Sequence, residues 1–122
     1  MTNQNWLEYK IQVRNRLKAF FIRILQLSEL FPKSERCRIL NNQITRSGTS
    51  VYANYRAALR GRSKAEFFSK LSVAVEEADE TEMWLDLIIS SEVLSSSFIK
   101  ELHTDSLEFV KILASMRKRV SK

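Results

Sequence analysis

The chain is 122 residues long, with 20 Lys/Arg against 14 Asp/Glu and a net charge of +6. That length suits one domain over residues 1–122, and two Gly and one Pro supply too few turns for a sheet-rich fold. No apolar run nears the roughly 20 residues of a membrane-spanning helix. The stretch Met1 to Asn5 has no cationic segment leading into an apolar one, so no secretory leader is expected.

The first helix is predicted from about Asn5 to Phe31. Trp6, Val13, Leu17, Phe20, Phe21, Ile24, Leu27 and Phe31 share one face at helical spacing. Leu7, Ile11, Ile22 and Leu25 form a second apolar stripe, more than a monomeric surface helix needs. Pro32 should end the helix, because the residue before a proline is pushed out of the α region.

Ser34 is the expected N-cap of a second helix, with Glu35 in its first turn. Leu40, Ile44, Val51, Tyr55 and Ala58 make its apolar face, with small Ser47 and Gly48 beside it. Gly48 suggests a bend or a close helix approach. Arg46, Arg56 and Arg60 fall within about 80° of one another on the opposite side, joined by Asn42. Arg62 and Lys64 follow just beyond.

Gly61 and the capping box Ser63-Lys64-Ala65-Glu66 mark the best-defined boundary in the chain. A third helix should run from there to about Val93. Its inner face holds Phe67, Leu71, Ala74, Ala78, Thr81, Leu85 and Ile88, while Val73, Trp84 and Leu87 lie off it. Glu76, Glu77, Asp79, Glu80 and Glu82 crowd its middle. After Ser95-Ser96-Ser97, the series Ile99, Leu102, Ser106, Phe109, Leu113, Met116 and Val120 alternates spacings of three and four, a heptad seam with one polar member.

Four helices with short connections predict an all-α fold, an antiparallel up-down-up-down four-helix bundle. Leu7, Ile11, Ile22 and Leu25 with Val73, Trp84 and Leu87 exceed what one core absorbs, which predicts a homo-oligomer. The lone Cys37 cannot make an internal disulfide, so a reducing, cytoplasmic setting is expected.

Charge is segregated along the chain. Residues 1–64 hold 13 Lys/Arg against 3 Asp/Glu, residues 65–110 hold 2 against 11, and residues 111–122 hold 5 against none. Such segregation suits either pairing between helices or one basic and one acidic surface.

No catalytic constellation is visible. His103 has no Cys or His at ligand spacing, so no metal site is expected and it reads as a solvated helix residue. Cys37 and Ser50 lack a base, and there is no Gly-rich phosphate loop. The acidic run reads as a solvated or salt-bridged face rather than a cation site. The chain is expected to be no enzyme and to need no cofactor. The stripe Arg46, Arg56 and Arg60, with Arg62 and Lys64, is the candidate nucleic-acid contact, because Arg suits bidentate phosphate binding. Its alternative is a scaffold whose bases pair internally with the acids of the third helix.

At N-Q-I-T-R-S-G-T-S-V-Y-A-N the chain resembles the bacterial proteins of 23S ribosomal RNA intervening sequences, the S23 ribosomal protein family. The matching positions are Gln43, Ile44, Arg46, Ser47, Ser50, Val51, Ala53 and Asn54, then Gly61, Ser63, Glu66, Phe67 and Glu77. The F-P-K-x-E-R of Phe31 to Arg36 fits the family's first connection. Tyr52 stands where many members have Pro, and Tyr55-Arg56-Ala57-Ala58 replaces an Ile-Ala-Glu-Gly, which marks a divergent branch. The family is similar to the accessory proteins of diversity-generating retroelements. What the resemblance implies is a four-helix bundle assembled as a homopentamer, with RNA or DNA and a reverse transcriptase as partners.

Overall fold

The computed structural model describes residues Thr2 to Ser121, and among them every regular element is helical. The elements are α1 (Asn3–Ser28), α2 (Glu35–Leu59), α3 (Lys64–Ser90) and α4 (Ser97–Val120). A hydroxyl opens each one. Thr2, Ser34, Ser63 and Ser96 have extended backbones, and each side chain accepts the N–H three residues on, from Asn5, Cys37, Glu66 and Ile99. Each bond satisfies one of the four donors a helix start leaves unpaired.

The helix ends depart from expectation in two places. Helix α1 stops at Ser28, ahead of Phe31: Glu29 and Leu30 turn back onto Gln26 and Leu27, and the Asn41 side-chain amide donates to the Ser28 carbonyl at 3.1 Å. A residue on the next helix thus caps α1, a tertiary contact that local pattern does not encode. Helix α3 stops at Ser90, ahead of Val93, because Glu92 takes φ of 59° and donates its N–H to Ile89. This left-handed residue after the cap is the position glycine usually fills.

The buried face of each helix is the one its periodicity marks. Val13, Leu17, Phe20, Ile24 and Leu27 of α1 meet Leu40, Ile44, Val51, Tyr55 and Ala58 of α2, Leu71, Ala74, Val75, Ala78, Leu85 and Ile88 of α3, and the heptad seam of α4 in one core. Cys37 and Val75 are buried additions to the expected set. Trp6, Phe21, Phe67 and Val120 are only half-buried.

Polar groups inside the core are satisfied. Ser47 and Thr81 are 0% and 1% exposed, and Thr81 donates to the Ser47 hydroxyl at 3.1 Å or to the Glu77 carbonyl at 2.8 Å. Ser106 donates to His103 O at 2.7 Å, which accounts for the polar member of the α4 seam. The fully buried Tyr55 donates its hydroxyl to the Lys10 carbonyl at 2.7 Å, and burial pushes its phenol well above the ordinary tyrosine value.

Interhelix partners follow a regular order. From α1 to α2 they are Lys10 with Tyr55, Phe21 with Tyr52, Ile24 with Gly48 and Ser28 with Asn41. From α1 to α4 they are Arg16 with Glu108, then Arg23 with Asp105 and Glu101. Gly48 is a point of close approach: a Cβ there would lie 3.3 Å from Ile24 Cγ2. Gly61 is needed for space as well. Its φ is negative, but a Cβ would meet the Ala58 carbonyl and the Phe67 N–H at 3.1 Å. The turn into α3 closes on it.

Candidate nucleic-acid interface

The beginning of α1, the α2–α3 turn and the end of α4 come together, so that Trp6, Lys10, Arg62, Lys64, Phe67 and Arg119 line one open groove of about 500 Å³. The turn geometry follows from the capping box. Ser63 Oγ receives Glu66 N–H at 3.1 Å, and the Glu66 carboxylate receives the Arg62 N–H. The return bond therefore reaches one residue before the N-cap, which occupies Glu66 with backbone and leaves the Arg62 guanidinium to the groove.

A second groove adjoins the first along α1 and α2, lined by Leu7, Lys10, Arg14, Arg56, Leu59 and Arg60. A third runs past the turn, lined by Arg60, Arg62, Glu66 and Lys70 among others. Shared lining residues make the three continuous: Lys10 and Leu59 join the first to the second, and Arg60 joins the second to the third. Among the described residues, none of Arg56, Arg60, Arg62 and Lys64 has an acidic side chain within ion-pair distance.

The five candidate residues thus divide. Arg56, Arg60, Arg62 and Lys64 lie on the grooved surface, with Arg56 also 5.9 Å from the Tyr52 ring centroid. Arg46 lies elsewhere on α2, exposed but bonded to Glu77 at 3.1 Å and Glu80 at 2.5 Å. The hydrogen bond to Glu80 raises the Arg46 guanidinium above its ordinary value, and the same bond lowers the Glu80 carboxyl. Arg16 and Arg23 are likewise engaged by acids of α4. Both readings of the charge segregation therefore have residues behind them.

Trp6, Lys10, Arg14 and Phe67 were not among the sequence candidates. The available signal was the spacing of Trp6, Lys10 and Arg14, each four residues on from the last and hence along one row of α1. What the sequence could not supply is the neighbour: Phe67, across the turn, lies 5.3 Å from Lys10 Nζ, which is also 5.4 Å from the Trp6 ring.

The expected interface residues are mostly exposed in a single chain. Leu7, Ile22, Leu25, Val73 and Leu87 are between 37% and 47% exposed. Ile11 and Trp84 are half-buried, and the Trp84 indole N–H points to Glu80 at 3.4 Å. His103 is not the solvated residue expected. It is half-buried, with Nε2 2.8 Å from Glu82 of α3, because the α3–α4 packing brings the two side chains together. Among the described residues no group of three or more His, Cys, Asp and Glu is gathered that could hold a metal ion. No described helix is long and apolar enough to cross a membrane.

Among the described residues the protein is thus all-helical, with four elements and an open basic surface beside the α2–α3 turn. It belongs to the family of 23S rRNA-intervening sequence proteins, whose model matches residues 9–115. It is similar to the crystal structure of a protein of unknown function from the S23 ribosomal protein family of Bacteroides thetaiotaomicron. The two are 36% identical with a TM-score of 0.81, covering 89% of this chain and 97% of the other. No curated protein matches it.

Proposed function

We propose that this chain is a non-enzymatic, self-assembling protein that binds nucleic acid through the surface around the α2–α3 turn. The observation that carries the reading is the set Arg56, Arg60, Arg62 and Lys64, gathered on continuous grooves without acidic partners among the described residues. Like charges this crowded repel one another, and a polyanion relieves that repulsion while releasing its own condensed counterions. Arg46 borders the same helix but contributes less, since a phosphate would have to displace Glu77 and Glu80. The resemblance implies a reverse transcriptase and its RNA as partners, which co-purification from native cells would identify.

The descending order of interhelix partners supports an antiparallel up-down-up-down bundle, with the chain's start, the α2–α3 turn and the end of α4 at one end. Self-assembly is supported by the exposed apolar rows. Leu7, Ile22 and Leu25 on α1 are interspersed with Arg14 and Lys18, whereas Val73, Met83 and Leu87 on α3 are interspersed with Glu76 and Asp79. Laying α1 of one copy on α3 of the next buries both rows with opposite charges matched. Such a contact is heterologous, the type from which closed rings are built, in keeping with the homopentamer that the resemblance implies. Light scattering at micromolar concentration should give an assembly, and charging the exposed row with Leu87→Glu should break it. A stable monomer of 14.3 kDa would remove this part of the reading.

Binding is tested by fluorescence anisotropy with RNA and DNA of unrelated sequences over a salt series. Replacing Arg56, Arg60 and Arg62 by Gln together should weaken binding to all sequences alike. It should also lower the log–log salt slope by about 2 per bound subunit, at roughly 0.7 per lost single-strand phosphate contact. The second reading is the scaffold, favoured by the pairing of Arg16, Arg23 and Arg46 with acids of α3 and α4. A wild-type protein that binds neither nucleic acid at low salt leaves the scaffold standing alone.

A further inference from the structure

The groove at the α2–α3 turn differs from an ordinary basic patch in having aromatic walls. Lys10 Nζ sits between the Trp6 and Phe67 rings, 5.4 Å and 5.3 Å from their centroids. The Arg119 guanidinium lies 4.1 Å from the Trp6 ring, and Tyr9 stacks beside that ring at 6.0 Å with planes 24° apart. Trp6 and Phe67 are only half-buried although each packs against the core, so part of each ring belongs to the groove wall. Arg62 and Lys64 stand on the facing turn.

We infer that this groove takes an unpaired base of single-stranded nucleic acid, with Trp6 and Phe67 receiving the base and Lys10, Arg62 and Lys64 the flanking phosphates. The inference rests on the nucleic-acid reading above and narrows it to a substrate class. Lysine is a flexible point charge on a four-carbon stem, so Lys10 can swing from between the rings onto a phosphate as a base enters. The groove volume of about 500 Å³ falls within the range of sites that enclose small ligands. A paired duplex offers its phosphates to the cations, but its base faces are covered by their neighbours, and uncovering one requires unstacking. Aromatic stacking beside a cationic track is the arrangement that favours single strands without regard to sequence.

The test compares oligothymidylate, oligouridylate and a hairpin duplex with the same number of phosphates, at one low salt concentration, by anisotropy and indole fluorescence. The single strands should bind about tenfold more tightly than the duplex and quench indole emission. Trp6→Leu should remove that advantage and the quenching, bringing single-strand affinity down to the level of the duplex on the same variant. Phe67→Leu should reduce the advantage in part, and it serves if Trp6→Leu unfolds. Equal binding of strand and duplex without quenching overturns the inference and leaves the nucleic-acid reading in place. Thymidine monophosphate quenching as fully as the strand at equal concentration also overturns it, since the groove would then be a nucleotide pocket. Binding of neither strand nor duplex overturns both.

Discussion

Tyr55 offers a stability experiment whose sign changes with pH. Its ring is fully buried, and its hydroxyl donates to the Lys10 carbonyl at 2.7 Å. Tyr55→Phe keeps the ring and removes the bond. Lys10 O lies within α1, where a helical N–H also reaches it, so the carbonyl is not stranded. The loss near pH 8 should be that of one neutral hydrogen bond, about 1 kcal/mol. Burial holds the folded phenol above its ordinary value of 10.0. The unfolded chain therefore loses the proton first, and stability contributed by the protonated phenol is complete below that value and declines as pH rises beyond it. At one unit above, the decline is about 1.4 kcal/mol. The variant has no such phenol. The wild-type advantage of about 1 kcal/mol near pH 8 should thus vanish or slightly reverse near pH 11. Urea unfolding of both proteins at several pH values measures this, and taking their difference cancels every other titration. Two curves that fall in parallel above pH 10 would refute the buried-phenol argument.

Glu92→Gly should stabilise the protein by about 1 kcal/mol, since glycine adopts the left-handed backbone at 59° without the Cβ penalty; a rise in the urea midpoint checks it. Ser63→Ala should cost about 1 kcal/mol, with Ser63→Asp close to wild type, because the bond lost is the cap to Glu66 N–H. Glu80→Gln should cost no more than about 0.5–1 kcal/mol, as Arg46 is 48% exposed and the pair is screened. The Glu80 carboxyl is lowered in the folded state, so its contribution is present above the ordinary carboxylate value of 4.5 and lost as pH falls below it. The gap between wild type and Glu80→Gln should close on acidification, as thermal melts at two pH values would reveal.

The core was legible because its signal is local and repeated. Ile44, Val51 and Tyr55, or Ile99, Leu102 and Leu113, announce a buried face by spacing alone, and Ser34 and Ser63 announce helix starts by chemistry. The ends of α1 and α3 were less legible. One depends on Asn41 reaching over from α2, and the other on a left-handed glutamate, a residue that ordinarily gives no such hint. For the candidate surface, spacing put Arg46, Arg56 and Arg60 on one side of α2 but could not say which would find acids. That division depends on which part of α3 lies beside each: Glu77 and Glu80 reach Arg46, whereas Arg60 shares its groove with Lys70 and with a Glu66 already held by the Arg62 N–H. Trp6 and Phe67 are separated by most of two helices, and only packing makes them neighbours.

The hydroxyls of Ser47 and Thr81 bear on how α2 and α3 come to dock. Each has a carbonyl of its own helix within reach, Ile44 O at 3.3 Å and Glu77 O at 2.8 Å. Neither is stranded, therefore, while the two helices slide past each other before settling. In the native alignment alone, the Thr81 proton can turn from the Glu77 carbonyl to the Ser47 hydroxyl, 3.1 Å away. Each hydroxyl has a single proton to give, so one neutral hydrogen bond is exchanged for another. The bias toward that alignment is less than the roughly 1 kcal/mol of a new bond, with no desolvation barrier raised along the way. A buried charge at the same position would impose the alignment more strongly, but every misaligned docking attempt would then carry an unpaired ion. The small hydroxyl pair leaves the search smooth and still marks its end.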